Sequence, residues 1–141
     1  QELALNTFIK LTRATEPLMT RLGHCGSLHG LTMSQFGVLE TLYHLGSLNQ
    51  SELGAKLLRS GGNITLVIDN LEKQGLVHRE RDRQDRRQVN ISLTPAGEAM
   101  IRQVFPQHLD AIIAELSVLS PQEQDTLGKL CRKLGKRDAD A

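Results

Sequence analysis

Residues 71–97, LEKQGLVHRERDRQDRRQVNISLTPAG, leave a chain few folds to adopt. Gly75 sits just past an apolar helical stripe, where a glycine stops a helix. Leu76-Val77-His78-Arg79-Glu80-Arg81 then reads as a short strand, and the alternating Val89, Ile91 and Leu93 as another. The polar residues 82–88 between them suit a hairpin loop and little else. Thr94 follows as a helix cap, with Pro95 at the first helical position. The segment predicts helix, hairpin, helix, with five arginines and three acids crowded between residues 79 and 87. A run of this kind also serves elsewhere as a plain solvated loop.

The flanks extend this pattern. Residues 2–22 carry Leu5, Phe8, Ile9, Leu11, Leu18, Met19 and Leu22 at spacings of three and four, an amphipathic helix with a bend expected at Pro17. HCGSLHG, residues 24–30, reads as a loop. Thr32 and Gln35 have capping-box spacing and open a second helix, which Gly46 ends. Asn49 and Glu52 repeat that spacing and open a short helix to about Leu58. Ser60 then caps a helix whose Ile64, Val67, Ile68 and Leu71 form one stripe, with a tight turn near Arg59 between the two. After the hairpin come a long helix with a kink expected at Pro106, and a last helix opened by Ser120-Pro121-x-Glu123. The predicted fold is mainly α with a small β-hairpin wing. It is a winged helix-turn-helix over about residues 33–94, flanked by helices at about 2–24 and 95–136, in a single domain spanning 1–141.

The start of the fourth helix points to function. A helix that reads the major groove needs small and polar side chains at its N-terminus, because bulk there holds its backbone away from base edges. Ser60, Gly61, Gly62, Asn63 and Thr65 meet that need, and Leu66 can touch a thymine methyl. Two glycines in a first turn cost roughly 1 kcal/mol each against alanine. Close approach to phosphate or base is one reason to accept this, and formation of the turn itself is another. Asp69 lies further along the outward side, where it would repel phosphate and tilt the helix out of the groove.

The hairpin loop lies one element later, where an adjacent minor groove would run. From Lys73 to Arg87 six basic residues face three acids, in a chain whose net charge is only +1. Arginine is the residue that exploits the potential of a narrow minor groove. Arg83, Arg86 and Arg87 are the candidates, with Asp85 placed to orient Arg87 through a bidentate pair. The partner implied is double-stranded DNA. Scarce aromatics and the absence of tryptophan argue against a single-strand stacking platform.

The run 71–97 also resembles the winged-helix signature of the MarR family of bacterial transcription regulators. Leu71-Glu72…Gly75-Leu76-Val77, Asp85-Arg86-Arg87 and Leu93-Thr94-Pro95-Ala96-Gly97 stand in that family's order and spacing. The resemblance covers essentially the whole chain. It implies a homodimer held by the first and last helices, a pseudo-palindromic operator, and a repressor released by a small aromatic effector or by oxidation. SGGNITLVIDNLEKQGLV looks nearest to members that answer quinones and phenols.

Three sensing modes compete for His24, Cys25, His29, Tyr43, His44 and His108. A metal site needs three or four converging ligands, and the family's zinc positions fall on Phe36 and Gly37. The family's peroxide-sensing cysteine would fall among Asn6, Thr7 and Phe8, so a redox role for Cys25 rests on its neighbour His24 lowering the thiol pKa. Tyr43 and His44 are candidates for a ligand pocket. Cys131 reads as core. No cofactor is expected.

A winged-helix module that binds another protein is the alternative to a DNA-binding regulator. An enzyme finds no support, because the chain has no nucleophile elbow, phosphate-binding glycine loop or HExxH. No apolar run approaches the ~20 residues of a membrane span and no signal peptide is visible. Two distant cysteines suit a reducing cytoplasm.

Overall fold

The computed structural model describes residues 1–57 and 61–136. Six helices and three short strands follow in the order α1 (Glu2–His24), α2 (Met33–Leu45), β1 (Leu48–Asn49), α3 (Gln50–Leu57), α4 (Gly61–Lys73), β2 (Val77–Arg81), β3 (Val89–Leu93), α5 (Pro95–Leu116) and α6 (Pro121–Gly135). Local caps set the boundaries. Thr32 and Gln35 exchange both bonds of a capping box at α2, and Ser120 and Glu123 do the same at α6. Asn49 and Glu52 cap α3 reciprocally, at 2.8 and 3.1 Å. Each box satisfies donors that a helix start leaves orphaned. Gly46 and Gly75 take left-handed φ values of 78° and 75° at the ends of α2 and α4. α1 and α5 remain continuous helices across Pro17 and Pro106.

The sheet has three strands in the order β1-β3-β2, so the wing is more than a hairpin. β1 adds two residues antiparallel to β3, pairing Leu48 with Ile91. Two residues are too short for alternation to betray them. They form a strand because they satisfy the free edge of β3, whose backbone groups need partners. β2 pairs with β3 from Val77↔Leu93 to Arg81↔Val89.

One core joins these elements. Leu39, Leu53, Ile68, Leu71, Ile91 and Ile101 are all fully buried in it. Burying each such side chain is worth roughly 1.5–3 kcal/mol. The outer helices behave differently. α1 buries only Leu22, and α6 buries nothing. Cys131, expected in the core, is exposed on α6. The stripe of α6 is apolar, but among the described residues none of its side chains is buried.

Candidate nucleic-acid interface and effector cavity

Two of the three sequence signatures meet in space, and the third, Asp85-Arg86-Arg87, lies on the wing loop. Leu71 is buried, and the Glu72 carboxylate accepts the backbone N–H of Arg79 at 3.3 Å, so Leu-Glu joins α4 to the wing. The Thr94 hydroxyl donates to the Gly75 carbonyl at 2.6 Å while accepting from the Gly97 N–H at 3.0 Å. Gly97 then lies against the Leu76 carbonyl, where a Cβ has no room. The motifs are the joints at which α4, the hairpin and α5 are held together.

Ser60 and the turn at Arg59 lie outside the described residues. Gly61, Gly62 and Asn63 form the first turn of α4. Thr65 is exposed, and its hydroxyl accepts from Gln50 Nε2 at 2.8 Å, which braces α4 against the start of α3. Leu66 is 61% exposed. Asp69 does not face outward as a bare charge. It forms an ion pair with Arg79 of β2, so its charge is compensated and no tilt of the helix follows from it. Two arginines of the basic run are thereby committed internally, since Arg81 also donates to the Arg86 carbonyl at 2.7 Å.

The wing loop is built around Asp82, which sequence reasoning overlooked. Its Oδ1 accepts the backbone N–H groups of Gln84 at 2.7 Å and Asp85 at 3.3 Å, and its Oδ2 accepts from Asn90 Nδ2 at 3.3 Å. The two backbone donors, followed by the Asn90 amide, hold the Asp82 carboxyl below its usual pKa. An Asp two residues before a polar turn residue is the signal that marks it. Asp82 N–H to Gln88 carbonyl and Gln88 N–H to Asp85 carbonyl close the loop, at 3.0 and 2.9 Å. Arg83, Arg86 and Arg87 are exposed on it. Arg87 is held by one oxygen only: Asp85 Oδ1 accepts both its backbone N–H at 3.1 Å and its Nε at 3.2 Å. That leaves the guanidinium side chain 91% exposed with its terminal nitrogens outward. Arg87 and Gln88 share a groove of about 390 Å³ with Gln50, Ser51 and Ile64. The base of the wing therefore flanks the helix-turn-helix.

A cavity of about 460 Å³ lies between α1, the start of α2, and α4, with Met19, Met33, Gln35, Gly37, Leu66 and Val67 in its walls. Neither Tyr43 nor His44 reaches it. They sit at the other end of α2, where Arg102 lies over the Tyr43 ring at 5.9 Å and His44 packs 5.6 Å from Phe105. His44 Nδ1 also lies 2.9 Å from the Glu40 carbonyl. Cys25 lines a shallow depression with Gly26, Ser27 and Gln107. Its sulfur lies 3.1 Å from Ser27 Oγ, whose hydroxyl stabilises the thiolate, and Ser27 Oγ is 3.3 Å from Nδ1 of the buried His108. The Cys25 pKa is lowered, and the cause is Ser27 rather than the adjacent, exposed His24. His29 bonds Gln107 Oε1 at 2.6 Å. Among the described residues no three histidine, cysteine or carboxylate side chains come together as a metal site. No described helix is long and apolar enough to cross a membrane.

Residues 31–89 match the MarR family. Across the longer chain, an uncharacterized HTH-type transcriptional regulator of Bacillus subtilis (strain 168), YkoM, is 37% identical over 134 residues, covering 95% of this chain and 87% of its own. The chain belongs to the MarR family. The HTH-type transcriptional regulator MhqR of the same organism is 34% identical over 134 residues, 95% of this chain and 92% of its own. Sco3205, a MarR family transcriptional regulator from Streptomyces coelicolor solved in complex with DNA, matches with a TM-score of 0.87 and 25% identity, covering 99% of this chain and 89% of its own. This MarR protein is a winged-helix, DNA-binding transcriptional regulator, and its relatives are regulators rather than enzymes.

Proposed function

We propose that the protein is a cytoplasmic homodimeric repressor that binds a pseudo-palindromic operator and is released by a small phenolic or quinone-type compound. In this reading the winged lobe spans about 33–94, and α1, α5 and α6 form the dimer. Ser60, Gly61, Gly62, Asn63, Thr65 and Leu66 address the major groove. Arg83, Arg86 and Arg87, with Asp85 orienting the last, address the minor groove beside it. The observation that carries the reading is the wing: an Asp82-built loop holds Arg87 by its Nε and leaves its fork extended into solvent. A protein-binding module would offer apolar side chains there, and residues 82–88 include none. The exposed leucines of α1 and α6, Leu3, Leu5, Leu127, Leu130 and Leu134 among them, support a dimer. The cavity beside α4 supports the effector, because a ligand seated against Leu66 and Val67 bears directly on the recognition helix.

Selection from a random pool of duplexes, followed by anisotropy titration at two salt concentrations, tests this. An inverted repeat should emerge, with affinity falling steeply with salt. Arg87→Ala should lower operator affinity roughly tenfold or more without unfolding the protein. A quinone or phenol should weaken binding, and Met19→Trp, which fills the cavity from its partly exposed α1 wall, should abolish that response. Equal affinity of Arg87→Ala and wild type would remove the wing from the interface. Release by oxidation at Cys25 is a second reading, favoured by its exposure and its bond to Ser27. It predicts that peroxide releases the operator from wild type but not from Cys25→Ser.

A further inference from the structure

β2 carries three successive residues on one face, Val77, Arg79 and Arg81, because side chains alternate along a strand. Each holds a different part of the lobe. Val77 is buried in the core, and Arg81 donates to the Arg86 carbonyl in the wing loop. Arg79 lies between them and is tied to α4 three times. Its guanidinium pairs with Asp69 and donates to the Thr65 carbonyl at 3.4 Å, and its backbone N–H donates to Glu72 at 3.3 Å. Residues 65, 69 and 72 stand at i, i+4 and i+7, so they form one stripe of the recognition helix.

This arrangement is costly as a source of stability. The Arg79 side chain is only 25% exposed, and its Nε is buried without a hydrogen-bond partner. A buried donor left unpaired is unfavourable, and an ion pair whose carboxylate stays 41% exposed is worth little for stability in return. What a guanidinium provides and an apolar side chain does not is direction, through several donors set in a rigid plane. We propose that Arg79 is a specificity-determining positioning residue, a strut anchored on Asp69 that fixes the angle between the wing and α4. It makes the two groove readers one rigid unit and withdraws the Asp69 carboxylate from the phosphates. The proposal rests on the DNA-binding reading of α4 and the wing. Readers must be held to a fraction of an ångström to discriminate. Ile91, buried opposite Arg79 and paired with Leu48, anchors the hairpin at that level, but residues 80–90 beyond it include no buried side chain, so this outer part is free to move once the strut is cut.

Arg79→Met and Asp69→Asn test the strut in the full chain, by thermal unfolding, amide exchange, and affinity for operator and random duplexes. Both variants should fold. Amides of the loop 82–88 should exchange about tenfold faster while that of Ile91 is unchanged, as expected of local opening. Operator affinity should fall roughly tenfold with less than about a threefold change on random DNA, and Arg87→Ala should then cost less than in wild type, the signature of coupled residues. Asp69→Asn is decisive, because the two views differ in sign. Loss of a merely repulsive acid would raise affinity for every duplex, whereas loss of the anchor lowers it for the operator.

Equal losses on both DNAs with a salt slope reduced by about 1 would make Arg79 a phosphate contact and overturn the proposal. Unchanged wing exchange would overturn it as well. If Arg79→Met does not fold, Arg79→Lys keeps one donor for Asp69 and should show the same pattern at smaller amplitude. If wild type selects no operator, the DNA-binding reading fails, and amide exchange alone decides whether the strut exists.

Discussion

At the scale of single residues, Gly97 shows how a motif glycine can be demanded by a neighbour rather than by its own backbone. Its Cβ would overlap the Leu76 carbonyl oxygen and stand 3.0 Å from the carbonyl carbon and 3.2 Å from Leu93 Cδ2. A backbone carbonyl cannot swing aside as a side chain can. Gly97→Ala should therefore lose about 1–3 kcal/mol, read as a lower thermal midpoint, and an unchanged midpoint would mean that α5 shifts freely. His108 makes a different demand. It is 3% exposed, its ring lies 4.6 Å from Phe36, and desolvation lowers its pKa below the ordinary 6.5. Below that ordinary value the unfolded chain takes up a proton that the folded chain refuses. Stability is then whole above about pH 6.5 and declines as the pH falls. Urea midpoints between pH 7.5 and 5 should show this decline, and His108→Gln should flatten it. An equal slope in both proteins would place the effect elsewhere.

At the scale of elements, the wing is a loop organised by one carboxylate. Asp82 serves two backbone donors and the Asn90 amide, so Asp82→Ala should release the loop without touching the core. Amides of Gln84 and Asp85 should exchange faster and operator affinity should fall, while the global unfolding midpoint moves by less than about 0.5 kcal/mol equivalent, as for surface changes generally. A large drop in global stability would show that the loop and the core unfold together. β2 and β3 were legible to within a residue, Leu76 being read as the start of a strand that begins at Val77, because alternation and the Gly75 stop are local signals. β1 was not, since two residues carry no period and take their strand form from Ile91 across the sheet.

At the scale of the whole molecule, the apolar faces of α1, α5 and α6 exceed what one chain can cover. Leu130 is 59% exposed and α6 buries no residue at all. Light scattering should report a dimer, and Leu130→Glu should shift it toward monomer with loss of operator affinity, because two half-sites then bind separately. A Leu130→Glu protein that remains dimeric would place the interface on other helices. The same feature explains why Cys131 reads as core in the sequence yet is exposed: its stripe is apolar, but among the described residues α6 buries no side chain.

The sequence by itself determined the caps and stops of α2, α4, α5 and α6, the two strands of the hairpin, and the family motifs, because caps, stops and alternation act over four residues or fewer. Only the tertiary structure decided how the charges are used. The Asp69–Arg79 pair spans 10 residues and the Ser27–His108 contact spans 81. A charged side chain takes as its partner whatever group the packed core brings within about 3 Å of it, and no local pattern names that group. Arg79 and Arg87 therefore look alike along the chain, while the fold turns one inward onto α4 and leaves the other pointing into solvent.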